Sequence, residues 1–300
     1  MKEFRSGFVS IIGKTNVGKS TLINHLVGEK VAIITPKTQT TRNKIRAIAN
    51  GEGYQIVFID TPGVHKPKSK LGEMMVESAV STIPDVDLIL FTIEATSKTI
   101  DKENEMILEK LKKANKKAIL VINKIDLIKK EKLLDLIDIY SGEYDFEDII
   151  PISALSDKDI YELLYEIKKH MPIGPAYYDI DEYTNQTTRQ LIEEIIREKA
   201  LKVLEQEVPH GIYVEVERLG LRKTAQNEAI HDIISTIYCL KKSHKGIIIG
   251  ENGRMLKRIG TYARLDMEKM LNTKVNLKLW VKVKEDWQEN NNILKRFESE

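Results

Sequence analysis

The sequence predicts an α/β domain, with a mostly parallel sheet and helices on both faces, followed by a smaller α+β domain. Two observations support this fold class. Apolar runs alternate with helical patterns from the start to about residue 170, as in a parallel sheet covered by helices. The alternation stops at residues 171–175, which contain two prolines and a glycine and are typical of a boundary. We therefore expect a first domain over 1–172, a linker over 173–178 and a second domain over 179–300.

Length and composition agree with two soluble domains. The chain has 300 residues and a net charge of +2, so any basic surface must be local. Cys239 is the only cysteine, which excludes an internal disulfide and predicts a buried thiol in a reducing cytosol. The N-terminal residues lack the apolar core of a signal peptide, and no apolar run approaches the roughly 20 residues of a membrane span. We expect an intracellular protein whose membrane contact could only be peripheral.

Residues 13–20 match the pattern G-x-x-x-x-G-K-[ST] in full. A predicted strand over 8–12 precedes them, and a predicted helix over 21–27, closed by Gly28, follows. Such a loop wraps a phosphate chain with backbone N–H groups at a helix N-terminus. The alternative, a glycine-containing turn with a chance Lys-Ser, is disfavoured by the flanking strand and helix. The predicted phosphate-binding residues are Gly13, Lys14, Thr15, Asn16, Val17, Gly18, Lys19, Ser20 and Thr21.

Polar segments follow three of the later predicted strands, which cover 54–59, 87–93, 118–122 and 148–152. Because parallel strands end at one edge of the sheet, these segments should converge on one pocket. They are Asp60-Thr61-Pro62-Gly63, Asn123-Lys124-Ile125-Asp126 and Ser153-Ala154-Leu155.

Each segment has a predicted chemical role. Asp60 would help hold Mg²⁺ with Ser20, a threonine of the 35–41 loop (Thr41 is favoured) would complete the metal shell, and the Gly63 N–H would bond the γ-phosphate. Asp126 can accept both the N1 and N2 hydrogens of guanine, which adenine cannot offer. The predicted metal ligands are Ser20, Thr41 and Asp60, and the predicted catalytic residues are Lys19, Thr41, Asp60 and Gly63. The remaining predicted nucleotide contacts are Thr61, Pro62, Asn123, Lys124, Asp126, Ser153, Ala154 and Leu155.

The second half of the chain predicts a helix over 190–206 and strands over 212–217, 228–240 and 275–281. Between the last two strands, an apolar turn leads to a Gly-x-x-Gly loop and a basic helix. From 241 to 258 there are six Lys or Arg residues against one acid. Two such glycines let a sugar-phosphate backbone approach closely, although turns between helices use the same residues. The predicted RNA-binding residues are Gly250, Glu251, Asn252, Gly253, Arg254, Lys257 and Arg258. The polar end, 289–300, is expected to fray.

Taken in order, these motifs resemble those of a known family. The phosphate loop with Asn16, the switch sequence Gln39-Thr40-Thr41-Arg42 and the three strand-end segments are similar to the Era branch of the translation-factor-type GTPases. The order helix–strand–strand–helix–helix–strand around the Gly-x-x-Gly loop resembles a type II KH domain. The resemblance covers nearly all of the chain. It implies an α/β P-loop GTPase domain followed by an α+β type II KH domain.

The resemblance also implies an activity and partners. Such proteins bind GTP and GDP with Mg²⁺, hydrolyse GTP as a switch, bind 16S ribosomal RNA near its 3′ end and act in assembly of the 30S subunit. Val64 stands where a Ras-like protein has a water-orienting glutamine, which implies slow intrinsic hydrolysis. In some relatives a K⁺ ion supplies charge with the loop asparagine; Asn16 fits that role and, equally, a role in tying the loop to the switch.

Further expectations concern the loop, the location and the assembly. Many KH loops carry a basic residue where this chain has Glu251, so phosphate contact would rest more on Lys257, Arg258 and the backbone. We expect a cytoplasmic monomer, with peripheral contact at the inner face of the cell membrane left open. Two rival functions stay open: a non-catalytic RNA-binding adapter locked by nucleotide, and an RNA-modification GTPase. The latter would need an additional catalytic or dimerising domain, for which no stretch is left over.

Overall fold

The structure is a computed structural model that describes residues 3–35, 37, 40–42, 44–64, 67, 69–205 and 208–295. Gln39 of the predicted switch sequence and the last five residues of the tail lie outside the described residues. The chain forms two compact units. The first comprises Met1–Ala32 and Gln39–Asn185, and the second comprises Ile33–Thr38 and Gln186–Lys295. Each unit has its own sheet and apolar core.

The first unit contains a six-stranded sheet in the order β2-β3-β1-β4-β5-β6. Among the strand pairs that the described residues form in this sheet, only β2–β3 is antiparallel, so the prediction of a mostly parallel sheet is confirmed. The strands are β1 (Arg5–Ile12), β2 (Ile45–Gly51), β3 (Tyr54–Asp60), β4 (Leu88–Glu94), β5 (Ala118–Asn123) and β6 (Asp148–Ile152). The helices are α1 (Lys19–Val27), α2 (Lys70–Ser81), α3 (Lys102–Ala114), α4 (Lys130–Ser141) and α5 (Asp157–His170).

Helices cover both faces of this sheet because successive strand residues point to opposite sides. On β5, Ile119 and Val121 join the cluster formed with α1 and α5. Leu120 and Ile122 join the cluster formed with α2, α3 and α4. Both faces are thus apolar, which explains the near-continuous apolar runs in the sequence. It also leaves the strand ends as the place for polar groups.

Two elements of the first unit were not predicted. β2 pairs with β3 as a hairpin whose turn includes Gly53 at φ +76°. No element was predicted over α2, yet Leu71, Met75 and Ala79 recur at helical spacing and are buried. The Ser69 side chain accepts a hydrogen bond from the Gly72 N–H at its start, a cap that stabilises the helix. Both elements therefore carried local signals that are visible in the sequence.

The chain continues along the first unit beyond the predicted boundary. The Gly174 N–H donates to the Phe4 carbonyl (3.1 Å) and the Ile48 N–H donates to the Tyr183 carbonyl (3.0 Å). Gln55 accepts hydrogen bonds from two further backbone N–H groups of this segment through Oε1. These bonds add the segment to the sheet edge, so the two compact units divide between Asn185 and Gln186. The division into domains with a linker over 173–178 stays a prediction.

The second unit contains a three-stranded sheet in the order β7-β8-β9, with β7–β8 antiparallel and β8–β9 parallel. Its strands are β7 (Ile212–Lys223), β8 (Ala229–Cys239) and β9 (Lys274–Val283), and its helices are α6 (Thr188–Val203), α7 (Lys242–Ile249), α8 (Arg254–Leu271) and α9 (Asn291–Leu294). The predicted order from α6 to β9 is confirmed. The apolar turn before the glycine loop is the end of α7. Cys239 is buried in the apolar core, as predicted, together with Ile33.

The tail prediction is wrong for the part that the structure describes. Trp287 is fully buried, and its indole N–H donates to the Gly211 carbonyl (3.1 Å). Ile293 and Leu294 of α9 are also buried. The burial of Ile293 and Leu294 therefore shows that the described part of the predicted tail, 289–295, is folded, and Trp287, just before it, is held at Gly211.

Candidate nucleotide and nucleic-acid sites

The phosphate loop follows β1 and leads directly into α1, and two of its glycines are required by close neighbours. A Cβ on Gly13 would lie 2.2 Å from the Thr92 carbonyl oxygen, and a Cβ on Gly18 would lie 2.3 Å from Asn123 Nδ2. Gly18 also has φ +99°, a conformation that favours glycine. The loop is thus held tightly between β4 and β5, with its N–H groups at a helix N-terminus.

Lys19 is the first residue of α1 and is only 6% exposed. Its Nζ donates hydrogen bonds to the Gly13 carbonyl (3.0 Å) and to the Lys14 carbonyl (2.7 Å). Burial lowers the pKa of the Lys19 ammonium to about 8, an effect that the nearby Asp60 carboxylate opposes. A buried cation held by loop carbonyls is positioned for an anionic ligand that the loop surrounds.

The side chains of Ser20, Thr41 and Asp60 lie close together although they are distant in the chain. Ser20 belongs to α1, Thr41 to the loop between α1 and β2, and Asp60 is the last residue of β3. Ser20 Oγ and Thr41 Oγ1 lie 3.0 Å apart. Both hydroxyls donate to Asp60 Oδ2, at 3.4 and 3.2 Å respectively. The three predicted metal ligands are therefore brought together, and Thr41, the favoured threonine of its loop, contacts the other two.

One carboxylate oxygen of Asp60 lacks a hydrogen-bond donor among the described residues. This oxygen is Oδ1, and the residue is fully buried. Burial raises the pKa of its carboxyl to about 6, against the opposing effects of Lys19 and of the Thr41 and Ser20 hydroxyls. A buried carboxylate with a free oxygen beside two hydroxyl oxygens suits a hard divalent cation such as Mg²⁺. The residues present fit that ion.

The segment after Asp60 lies directly against the phosphate loop. Gly63 approaches so closely that a Cβ there would lie 2.7 Å from Thr15 Cα. The Val64 N–H donates to the Gly13 carbonyl (3.1 Å), and the Val64 side chain is 1% exposed within the apolar cluster beneath. The Thr61 hydroxyl donates to the Ile11 carbonyl (2.8 Å). Val64 is thus a core residue, and Gly63 is the position at which the backbone can face a bound phosphate.

Asn123, the last residue of β5, makes hydrogen bonds to the backbone of three loops of the site. Its side-chain amide donates to the Val17 carbonyl (2.8 Å), while its Oδ1 accepts from the Lys124 N–H (2.8 Å) and the Ala154 N–H (2.9 Å). It is 1% exposed. Asn123 therefore joins the phosphate loop to two other loops of the site, and its predicted contact with the nucleotide stays a prediction.

Asp126 and Leu155 are the members of the predicted base-reading set that face solvent. Asp126 lies in a short 3-10 helix, Ile125–Leu127, and is exposed. Leu155 is 73% exposed beside it in the chain segment after β6, where Ser156 caps α5. The Ser153 N–H donates to Asp159 Oδ2 (2.8 Å), so Ser153 shapes the loop through its backbone.

Lys124 directly follows β5 and has a left-handed conformation, φ +66°. Its Nζ forms an ion pair of 3.1 Å with Glu94 Oε2 at the end of β4. At the other side of the site Lys14 Nζ pairs with Asp101 Oδ2 at 2.6 Å. No sequence motif contains Glu94 or Asp101. Only their positions, at the start and the end of the connection from β4 to α3, could have indicated a role in the site.

The glycine loop of the second unit joins α7 to α8. Gly250 has φ 71° and ψ 173°, a region open essentially to glycine, and a Cβ there would lie 2.7 Å from Met255 Cβ. Gly253 has φ 75°, but a Cβ there would have no heavy atom within 4 Å among the described residues. Gly250 is thus needed by the fold itself, whereas the space at Gly253 is open to a ligand.

The cations predicted for RNA binding line the start of α8 and are exposed. They are Arg254, Lys257 and Arg258, and Glu251 and Asn252 of the loop are exposed as well. The guanidinium of Arg258 lies 5.7 Å from the ring centroid of Tyr262. These side chains can move to meet phosphates, because the described contacts leave their charged ends at the surface.

A groove of about 400 Å³ opens beside the loop, between α8 and β9. Gly260 deepens it, since a Cβ there would already touch Leu279 Cδ1 at 3.4 Å. The sequence motifs mark only the loop and the basic helix. The groove residues that they do not include are Leu256, Gly260, Thr261, Arg264, Leu277 and Leu279. Their half-apolar, half-polar lining is typical of a surface that accepts unstacked bases.

Comparison with known proteins finds similarity in both units of the chain. Residues 8–124 match the family model described as 50S ribosome-binding GTPase, and residues 207–288 match the KH domain model. The chain is 50% identical over 294 residues to GTPase Era of Caldanaerobacter subterraneus subsp. tengcongensis, covering 98% of this chain and 97% of that protein. It is 50% identical over 293 residues to GTPase Era of Clostridium kluyveri, covering 98% of each.

Two solved structures are similar over almost the whole chain. One is Era in complex with MgGDPNP and nucleotides 1506–1542 of 16S ribosomal RNA, with a TM-score of 0.92, 40% identity and 98% of each chain covered. The other is a variant of Aquifex aeolicus Era bound to GDP·AlF4⁻, with a TM-score of 0.91 and 39% identity. In that case 98% of this chain and 99% of that one are covered.

Proposed function

Because this chain belongs to the Era family of GTPases, we propose that it is a GTP-driven switch in assembly of the small ribosomal subunit. The first unit binds GTP with Mg²⁺ and hydrolyses it to GDP and phosphate. The second unit binds 16S ribosomal RNA near its 3′ end. The observation that carries the nucleotide part is the convergence of Ser20, Thr41 and the buried Asp60 carboxylate, whose Oδ1 has no hydrogen-bond partner among the described residues.

Three side chains of the first unit would hold the metal ion. Ser20 and Thr41 supply hydroxyl oxygens and Asp60 supplies the carboxylate, either directly or through a water. When bound, Mg²⁺ neutralises charge on the β- and γ-phosphates. The same binding gives Asp60 the partner that the protein alone does not provide.

The remaining groups position the phosphates. Lys19 lies where its ammonium can contact the β- and γ-oxygens, and its two carbonyl partners hold it there. The Gly63 N–H is the donor for the γ-phosphate, because the close approach of Gly63 to Thr15 leaves backbone alone at that point. Fixed donors of this kind stabilise charge that grows in the transition state.

Guanine selection rests on Asp126. Its exposed carboxylate can accept two hydrogens from guanine, and adenine would leave it unpaired. Lys124 and Leu155 flank the same position and would cover the faces of the base. Asn123 contributes by fixing the loops that carry these residues.

Slow intrinsic hydrolysis follows from Val64. Its side chain is buried and apolar, and its N–H is bonded to the Gly13 carbonyl, so neither group orients a water. The orienting or charge-supplying group must come from elsewhere. Asn16, exposed and at φ +66°, is our candidate for holding K⁺ beside the phosphates.

RNA binding rests on the glycine loop and the groove beside it. The loop backbone and the exposed cations Lys257 and Arg258 would contact phosphates, while bases enter the groove next to Leu279. A negatively charged Glu251 in the loop shifts phosphate contact toward those two cations. The solved relative bound to nucleotides 1506–1542 of 16S ribosomal RNA supports this class of ligand.

A pair of titrations tests the proposal. GTP, GDP and ATP are titrated with and without Mg²⁺, and phosphate release is followed in parallel. An RNA oligomer equivalent to nucleotides 1506–1542 is then titrated against the same protein. We expect Mg²⁺-dependent binding of GTP over ATP, release of phosphate and tight RNA binding. Nucleotide binding without any phosphate release, with RNA present or absent, would favour the non-catalytic adapter.

The proposal also covers the location and the assembly state of the protein. In the described part of the chain, no helix is both long enough and apolar enough to cross a membrane. We propose a cytoplasmic monomer, with any membrane contact peripheral and at the inner face. Fractionation of cells expressing the tagged protein, together with its mass in solution, tests these points.

A further inference from the structure

We propose that Glu94 is a positioning residue for nucleotide retention, acting through its ion pair with Lys124. The inference rests on the proposed guanine-nucleotide site and adds a residue to it that no motif contains. Glu94 is the last residue of β4, and Lys124 follows the last residue of β5. In the sheet register Glu94 lies opposite Asn123, which places the two side chains at the same edge.

The contacts of Glu94 fix its carboxylate in place. Its Oε2 lies 3.1 Å from Lys124 Nζ, and its Oε1 accepts a hydrogen bond from the Thr96 hydroxyl (2.7 Å). The backbone beneath is fixed as well, because the Ala95 N–H donates to the Asn123 carbonyl (2.8 Å). Both oxygens of one carboxylate are thus used, one to anchor it and one to hold the lysine.

Lys124 needs such a restraint more than an ordinary lysine does. Its left-handed backbone, φ +66°, is uncommon for a residue with a side chain, and its long side chain has many rotamers to lose. The Glu94 and Lys124 side chains are 29% and 30% exposed, so solvent screens the pair only in part. Holding the lysine before the nucleotide arrives lowers the entropy cost of binding.

The sign of the effect follows from where the pair lies. Lys124 belongs to the base-reading loop, where a guanine carries no formal charge. Removing the Glu94 charge there frees the lysine without relieving a repulsion against phosphates. Asp101 provides the contrast, since it pairs with Lys14 of the phosphate loop through side chains exposed to a similar extent, 32% and 33%.

Glu94→Gln is the sharpest variant because glutamine keeps an oxygen that can accept from Thr96 but loses the charge. We expect the dissociation rate of a fluorescent GDP analogue to rise about threefold, the scale of a partly exposed ion pair. In 1 M salt, where the Debye length is about 3 Å, the difference from the parent protein should narrow. Glu143→Gln, which breaks the exposed 3.1 Å pair with Lys112, should leave the rate unchanged.

A double-mutant cycle with Lys124→Gln separates positioning from a general structural effect. In that background Glu94→Gln should add nothing to the dissociation rate, whereas Asp101→Asn, which keeps a helix-capping side chain, should act independently of Lys124. Equal coupling of both acids to Lys124, or an unchanged rate in Glu94→Gln with a normal thermal melt, overturns the inference. If the parent protein fails to bind the GDP analogue at all, the proposed function fails instead.

Discussion

The two sites of this protein are built in opposite ways. In the first unit the candidate nucleotide site is formed from buried charges and backbone contacts: Lys19 and Asp60 are both at most 6% exposed, and Asn123 joins three loops. In the second unit the candidate RNA site is an exposed loop with exposed cations, beside a shallow groove. In the nucleotide site the charged groups are desolvated before any ligand binds. In the RNA site the charged groups are solvated by water.

The two sites therefore differ in the source of their binding energy. A desolvated carboxylate or ammonium gains strongly from a partner placed within hydrogen-bond distance. An exposed cation gains little from any single phosphate, and many such contacts add up with a strong dependence on salt. Substitutions should therefore act sharply in the first unit and gradually in the second.

The largest effect is expected at Lys19. We predict that Lys19→Met lowers the single-turnover rate of GTP hydrolysis at least about a thousandfold, because a fixed cation at the phosphates is lost. Lys112→Met, which removes an exposed lysine from the same unit, is the matched control and should hydrolyse GTP normally. A loss in Lys19→Met no greater than in this control would show that burial of the lysine is unrelated to the chemistry.

Asp126 tests the exposed end of the same unit. Asp126→Asn should weaken GTP binding by about 10- to 100-fold, the cost of losing a charge-assisted contact. The same protein should bind xanthosine triphosphate better, because the amide can donate to the oxygen at C2 of that base. Competition titrations with both nucleotides measure the exchange of preference, and equal weakening for both would remove Asp126 as the base reader.

Gly253 gives the corresponding test in the second unit. Gly253→Asp should weaken RNA binding by about 30-fold, from repulsion and a lost phosphate contact, while GTP binding stays as in the parent. The protein should stay folded, since aspartate tolerates a positive φ and the Cβ has open space. Gly253→Asn keeps the size without the charge, so its smaller loss isolates the electrostatic part. Equal RNA affinity in all three proteins is the result that contradicts a phosphate contact here.

The smallest effect is a pH dependence. Because the pKa of Asp60 is raised from 3.8 to about 6, the nucleotide-free folded state binds this proton more tightly than the unfolded chain does. Its contribution to the free energy of unfolding therefore falls as the pH rises from about 4 to about 6. Mg²⁺ must displace the same proton, so apparent Mg²⁺ affinity should fall about tenfold per pH unit below 6. Mg²⁺ titrations at pH 5, 6 and 7 check this, and a flat profile would refute it.

Much of the first unit could be predicted because its function lies at strand ends. The apolar runs located five of the six strands, and the segments starting at Gly13, Asp60 and Asn123 were correctly expected to converge. β2 was missed because Arg46 and Asn50 interrupt its apolar pattern, although two glycines around its turn indicate a hairpin. Which threonine meets Asp60 could be favoured from the sequence but was established by a three-dimensional contact.

The rest depended on contacts between distant residues. The hydrogen bonds of the Asn123 side chain to other loops cannot be predicted from the sequence, because they depend on the positions of Val17 and Ala154 in the fold. The Gly-x-x-Gly pattern also does not distinguish the roles of its two glycines. Only the fold shows that Gly250 lies against Met255 whereas Gly253 faces open space. The groove combines residues of α8 and β9, so no local pattern could reveal it.

The most direct test of the central claim is the Mg²⁺ dependence of GTP binding in Asp60→Asn. Asparagine keeps the shape of the carboxylate and removes the buried charge, so the protein should remain folded in a thermal melt. We predict that Mg²⁺ strengthens GTP binding by the parent protein and has little effect on binding by Asp60→Asn. A folded Asp60→Asn protein whose GTP affinity responds to Mg²⁺ as the parent does would contradict the assignment of this buried cluster as the metal site.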